Sequence, residues 1–185
     1  MKFDSRLTFE DHVLGIISRV SQKNGILRWV QRVFVDTSVL LRCYYAFVLP
    51  IIEYCPPVWV SAAKCHLQLL ERQGYSLARH CPDETFLSLC HRRHVAALCV
   101  LDKVNSNQNH CLFSELPSAS VRVRHTRAAA AAHPLELEVS RCGTSKFARC
   151  FLQAETRVWN DLTYTVFNTG TLDGFKGSVN RWLLH

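Results

Sequence analysis

The sequence predicts a mainly α protein: an antiparallel helical bundle followed by a small α+β C-terminal piece. Three observations lead there. Apolar residues recur at three- and four-residue steps through four segments before residue 105. Capping residues and prolines fall between those segments. After Val104 the composition turns polar and basic, and short strand-like runs replace the long periodic ones. The expected organisation is a bundle over 1–112, a linker over 113–134, and a hairpin plus helix over 135–185.

The first helix is expected from Thr8 to Phe34, with Val13, Ile16, Ile17, Val20, Leu27, Val30 and Phe34 on one face. Thr8 is its expected N-cap, with Asp11 as the acid of the first turn. Asp36-Thr37-Ser38 caps a second helix, "VLLRCYYAFVL", which runs into Pro50 and is kinked or ended there. Pro56-Pro57 stops the short segment beyond Pro50, and Trp59 is expected to anchor the turn. A third helix starts near Ser61, carries Leu67, Leu70, Leu77, Ala78 and Cys81 inward, and closes at Pro82. Gly74 inside it costs about 1 kcal/mol relative to alanine. Asp83 caps a fourth helix bearing Phe86, Leu89, Cys90, Ala97, Leu98, Leu101 and Val104. Beyond the five-alanine run at 128–132, Leu135–Val139 and Phe147–Gln153 read as strands of a hairpin across "SRCGTSK". "ETRVWNDL" is a helical turn, and "TLDGFKGSVNRWLL" a last amphipathic helix.

Composition narrows the function classes. Apolar residues make up 48% of the 185, enough for a packed core. Nine cysteines at irregular spacing, behind an N-terminus too acidic for a leader, read as reduced thiols. The expected location is therefore intracellular, in cytoplasm or nucleus, with no signal peptide. The most hydrophobic stretch, "YYAFVLPIIEYCPPVWV", is no membrane span. Extending it to the 20 or so apolar residues a span needs brings in Arg42 and Glu53 around three prolines. No membrane partner is expected.

Motifs for chemistry are missing at the required spacings. No C-x2-C pair occurs, and the Cys90–His94 and His91–His94 spacings have no matching partner pair, so no metal site is expected. "GTLDGFKGS" lacks the spacing of a phosphate-binding loop, and there is no G-x-S-x-G elbow. The aspartates are scattered, and none pairs with another as two-metal phosphoryl transfer requires. No catalytic residue is assigned.

What remains is basic charge, a net +7. Arg19, Lys23, Arg28, Arg32 and Arg42 populate the first two helices with few acids beside them. Arg19 and Lys23 flank one side of the apolar stripe; Arg28 and Arg32 lie on the other side and the back. Arg122, Arg124 and Arg127 form a second cluster, "RVRHTR", in the linker. Both sets are candidate nucleic-acid backbone contacts, and both are compatible with a merely solvated surface.

Five segments in order, "FDSRLTFEDHV", "YYAFVLPIIEYCPPVW", "LERQGYSLARHC", "LCHRRHVAALCVLDKV" and "FLQAETRVWNDL…TLDGFKGSVNRWLL", resemble the C-terminal part of jockey-type non-LTR retrotransposon reverse transcriptases. The resemblance covers essentially the whole chain. It implies that "FDSRLTF" follows the last palm strand and that the helices after it form a polymerase thumb, which packs on the RNA/DNA template–primer duplex. It also implies that the fingers, the catalytic palm and its Mg2+ lie upstream, leaving this chain with no cofactor and no polymerase activity of its own. The family tends to have Tyr where Asp102 stands and Pro where Gln153 and Thr163 stand.

The expected function is thus that of a polymerase fragment whose thumb holds template–primer backbone without sequence preference. Two other classes fit the same residues: a helical protein-interaction module or relic with no nucleic-acid binding, and a zinc-stabilised module.

Overall fold

The computed structural model describes residues 4–33, 36–76, 87–106 and 135–184. Of these residues 72% are helical, and among them there is no strand. The chain divides into two compact units, Met1–Arg93 and His94–His185. The division falls inside a helix, whereas sequence placed it in the 113–134 linker, which lies outside the described residues.

In the first unit, helix α1 spans Glu10–Val33, with Glu10 and Asp11 in its first turn. Thr8 is not its cap. The first helical bond runs from the Val13 N–H to the Phe9 carbonyl, so Phe9 holds the cap position, at a left-handed φ of 55°. Thr8 turns instead to Asp4, whose carboxylate accepts from the Thr8 N–H at 2.8 Å, the Thr8 hydroxyl at 2.6 Å and the Phe9 N–H at 3.0 Å. These bonds hold the Asp4 carboxyl well below its usual range. They also hold the backbone that seats Phe9 in the core.

Helix α2 (Thr37–Phe47) begins as expected, with Asp36 accepting from the Ser38 N–H at 2.9 Å. It ends just before Pro50. The proline sits in the first turn of a new one-turn helix, α3 (Leu49–Ile52), where its missing N–H costs no bond. Cys55, at φ 49°, then leads into α4 (Pro56–Trp59), which starts on two prolines. Trp59 is fully buried and donates through Nε1 to the Tyr54 carbonyl at 3.0 Å, anchoring that turn.

Helix α5 (Lys64–Gly74) is shorter than expected. Its predicted extension through Leu77, Ala78 and Cys81, and the Asp83 cap and Phe86 after it, lie outside the described residues. Within the first unit α1 packs on α2, α3 and α5. Their core contains Val13, Ile16, Val20, Leu27, Leu40, Tyr44, Trp59 and Leu70. Asn24 is buried in the middle of the α1 face and donates to the Gln73 carbonyl at 2.8 Å.

Helix α6 (Leu89–Asn105) carries the division between the units. Ser88 heads it, accepting from the His91 N–H at 2.9 Å. Leu89 belongs to the first core, and Val95, Leu98 and Leu101 belong to the second. Cys90, expected inward, is exposed.

The second unit corrects the hairpin. Among the described residues, 136–140 belong to no strand, and Phe147–Gln153 holds the end of one helix, a turn at Arg149–Cys150 and the start of the next. Thr144 caps α7 (Ser145–Ala148), accepting from the Phe147 N–H at 3.2 Å. Helix α8 (Phe151–Asp161) follows at once. After it come α9 (Tyr164–Phe167) and the predicted last helix, α10 (Leu172–Trp182), capped by Thr171. Asn160 on α8 takes the place of a strand partner. Its Oδ1 accepts from the Leu137 N–H and its Nδ2 donates to the Leu137 carbonyl, both at 2.9 Å. Next to it, Trp159 Nε1 donates to the Leu135 carbonyl at 2.9 Å. The Trp159 ring packs with Phe167 and Phe175 at centroid distances of 4.7 and 5.8 Å.

Candidate nucleic-acid interface

The helical period of α1 dictates where its cations stand. With Val13, Ile16, Val20, Asn24 and Leu27 buried, 100° per residue puts Arg19 and Lys23 along one edge of the opposite face. Arg28 and Arg32 run along the other edge. All four are exposed, as is Arg42 on α2. Arg19 Nε donates to the Gly15 carbonyl of its own helix at 3.3 Å. Among the described residues none of the five pairs with a carboxylate within salt-bridge distance. Between His12 and Val33 the chain holds no acidic residue at all. Arg122, Arg124 and Arg127 lie outside the described residues.

The arginines of "HRRH" behave differently. Arg92 is bonded to Glu53, which holds its guanidinium protonated even more firmly than usual. Arg93 is buried beside Glu71, with Nη2 at 3.6 Å from Oε2. The other Glu71 oxygen accepts from the Cys90 N–H at 3.3 Å, near the positive end of α6. Both cations are thus engaged by carboxylates within the first unit.

The outer face of α1 has a feature the sequence analysis missed. Ile26, Trp29 and Val33 follow one another at i, i+3 and i+7, between the two basic edges. They are 56, 66 and 59% exposed. The missed signal was a second apolar periodicity, out of phase with the buried stripe.

Among the described residues of the second unit, a buried carboxylate stands against an imidazole. Glu155 is buried on α8, and both of its oxygens lie 3.0–3.1 Å from His94 Nδ1. Cys142 Sγ stands 3.6 Å from Gln153 Oε1 and 3.9 Å from Arg157 Nη2. Among the described residues no group of three or more His, Cys, Asp or Glu could hold a metal ion. No described helix is long and apolar enough to cross a membrane.

No family model, no curated protein and no solved structure matches this chain.

Proposed function

We propose that the chain is the thumb and downstream part of a retrotransposon RNA-directed DNA polymerase. In this reading, its first unit holds the backbone of an RNA/DNA template–primer duplex without sequence preference. The observation that carries the reading is the set of exposed cations, Arg19, Lys23, Arg28, Arg32 and Arg42, with no described carboxylate within salt-bridge distance of them. Such cations on helices meet phosphates without first breaking a salt bridge, and each contact releases counterions.

The lineage is supported by what its motif residues do. Asp4, Trp59, Trp159 and Asn160 each hydrogen-bond to the backbone of a turn or of a non-helical segment. The departures from the family also fall at compatible places. Gln153 lies in the first turn of α8 and Thr163 at the cap of α9, sites that accept the family's proline. Asp102 is half-buried, and burial raises its carboxyl pKa, as befits a site where the family has an uncharged tyrosine.

The test is binding of the full chain to a labelled RNA–DNA duplex by fluorescence anisotropy. With about five phosphates neutralised, raising salt from 50 to 200 mM weakens binding roughly 500-fold. Affinity that does not fall with salt, or no binding at low salt, overturns the proposal.

A further inference from the structure

Ile26, Trp29 and Val33 lie on the wrong side of α1 for the core. The helix already buries Val13, Ile16, Val20 and Leu27, so this second apolar face is not what holds it in the fold. Over the roughly 15 Å from Lys23 to Val33, cations border the face on both sides. Its one large side chain is an indole, 66% exposed. A face framed by Lys and Arg, with no acid between His12 and Val33, selects an anionic partner. The single flat ring then separates the kinds of anionic partner. A membrane-surface helix buries its main apolar face in lipid, and here that face is occupied by the core. An aromatic ring set among cations is how proteins receive unstacked bases while the charges follow the backbone.

We infer that this face of α1 binds single-stranded nucleic acid, with an unpaired base stacking on Trp29 and phosphates meeting Arg28 and Arg32. The inference rests on the proposed nucleic-acid contact of α1 and deepens it. In a duplex the faces of the bases are occupied by their neighbours, so Trp29 discriminates for single strand where the cations alone do not.

The chain carries its own reporter. Of its four tryptophans, Trp59 and Trp159 are buried and Trp182 packs against the second core, which leaves Trp29 as the strongly exposed one. The experiment titrates the full chain and its Trp29→Leu variant with a 15-nucleotide oligothymidylate and with an RNA–DNA duplex at 50 mM salt. Affinity is read by anisotropy of the labelled strand, and indole emission is recorded alongside. Leucine keeps the site apolar and helical but cannot stack, and circular dichroism checks that the variant folds. The expected result is quenching by the single strand in the parent chain, together with a loss of roughly tenfold or more in single-strand affinity in the variant. Duplex affinity should change less than twofold.

Equal single-strand affinity in parent and variant, with duplex binding intact, overturns this inference and leaves the duplex proposal standing. Loss of single-strand binding in the variant, with no duplex binding in either protein, supports this inference and overturns the duplex proposal. If neither nucleic acid binds, both fall. Two further outcomes also overturn it. One is binding to anionic phospholipid vesicles in place of oligothymidylate; the other is a dimer in sedimentation that Trp29→Leu abolishes.

Discussion

Gly74 ends α5 at a point where an added Cβ would stand 2.6 Å from Leu89 Cδ1 and 3.4 Å from Ile52 Cδ1. Read as sequence, it is a helix position that a glycine weakens. In three dimensions it is the gap that admits Leu89, itself 3% exposed, into the first core. A methyl group there forces Leu89 off its rotamer against packed neighbours, and the helix-propensity gain at a last-turn residue is too small to offset it. Gly74→Ala should therefore destabilise the chain by about 1 kcal/mol, measured as a fall in the urea midpoint at unchanged slope. A rise in the midpoint would mean that Leu89 relaxes freely. The same residue-scale logic separates the arginines. Arg92 and Arg93 differ from Arg28 and Arg32 only in what faces them, and no local spacing reveals that Glu53 and Glu71 stand opposite the first pair.

Helices α2 and α10 were legible because local rules agree at their ends. Asp36 and Thr171 cap them, and their buried residues follow the helical period. Helix α8 was legible only in its second half, where "ETRVWNDL" read as a helical turn; its start was taken for a strand. Its buried side carries Gln153, Glu155 and Thr156 alongside Trp159, so apolar periodicity is masked by polar residues, Glu155 among them, whose partner His94 lies on α6. Thr156 instead returns its hydroxyl to the Leu152 carbonyl one turn earlier in α8. The run Leu135–Val139 was read as a strand of a hairpin, and among the described residues it is in no strand. An asparagine side chain offers one donor and one acceptor, which is what a facing strand residue offers, and Asn160 satisfies Leu137 in that way. Asn160→Ala would leave the N–H and carbonyl of Leu137, a residue only 9% exposed, without these partners. The expected cost is about 2 kcal/mol in chemical unfolding. Asn160→Asp should not rescue it, because a carboxylate accepts from the N–H but repels the Leu137 carbonyl. If either variant unfolds at the parent's midpoint, the clamp does not hold the segment.

Over the whole molecule, the +7 charge was legible at once, but a total does not locate a contact. A basic protein attracts polyanions through its overall field as well as through a local patch, and the two differ in what a charge change does. If phosphates sit on α1, each cation removed there takes one counterion-release step away. Arg28→Gln with Arg32→Gln should then lower the slope of log affinity against log salt by about 2. Lys176→Gln with Arg181→Gln removes the same net charge from exposed positions on α10. That pair should leave the slope unchanged and weaken binding only slightly. The comparison is made on the full chain, with the same RNA–DNA duplex and salt series for both variants. Equal losses in the two would assign the attraction to the total charge and deny α1 a contact of its own. A loss confined to the α1 variant would place the phosphates along the Arg28–Arg32 edge, beside Trp29.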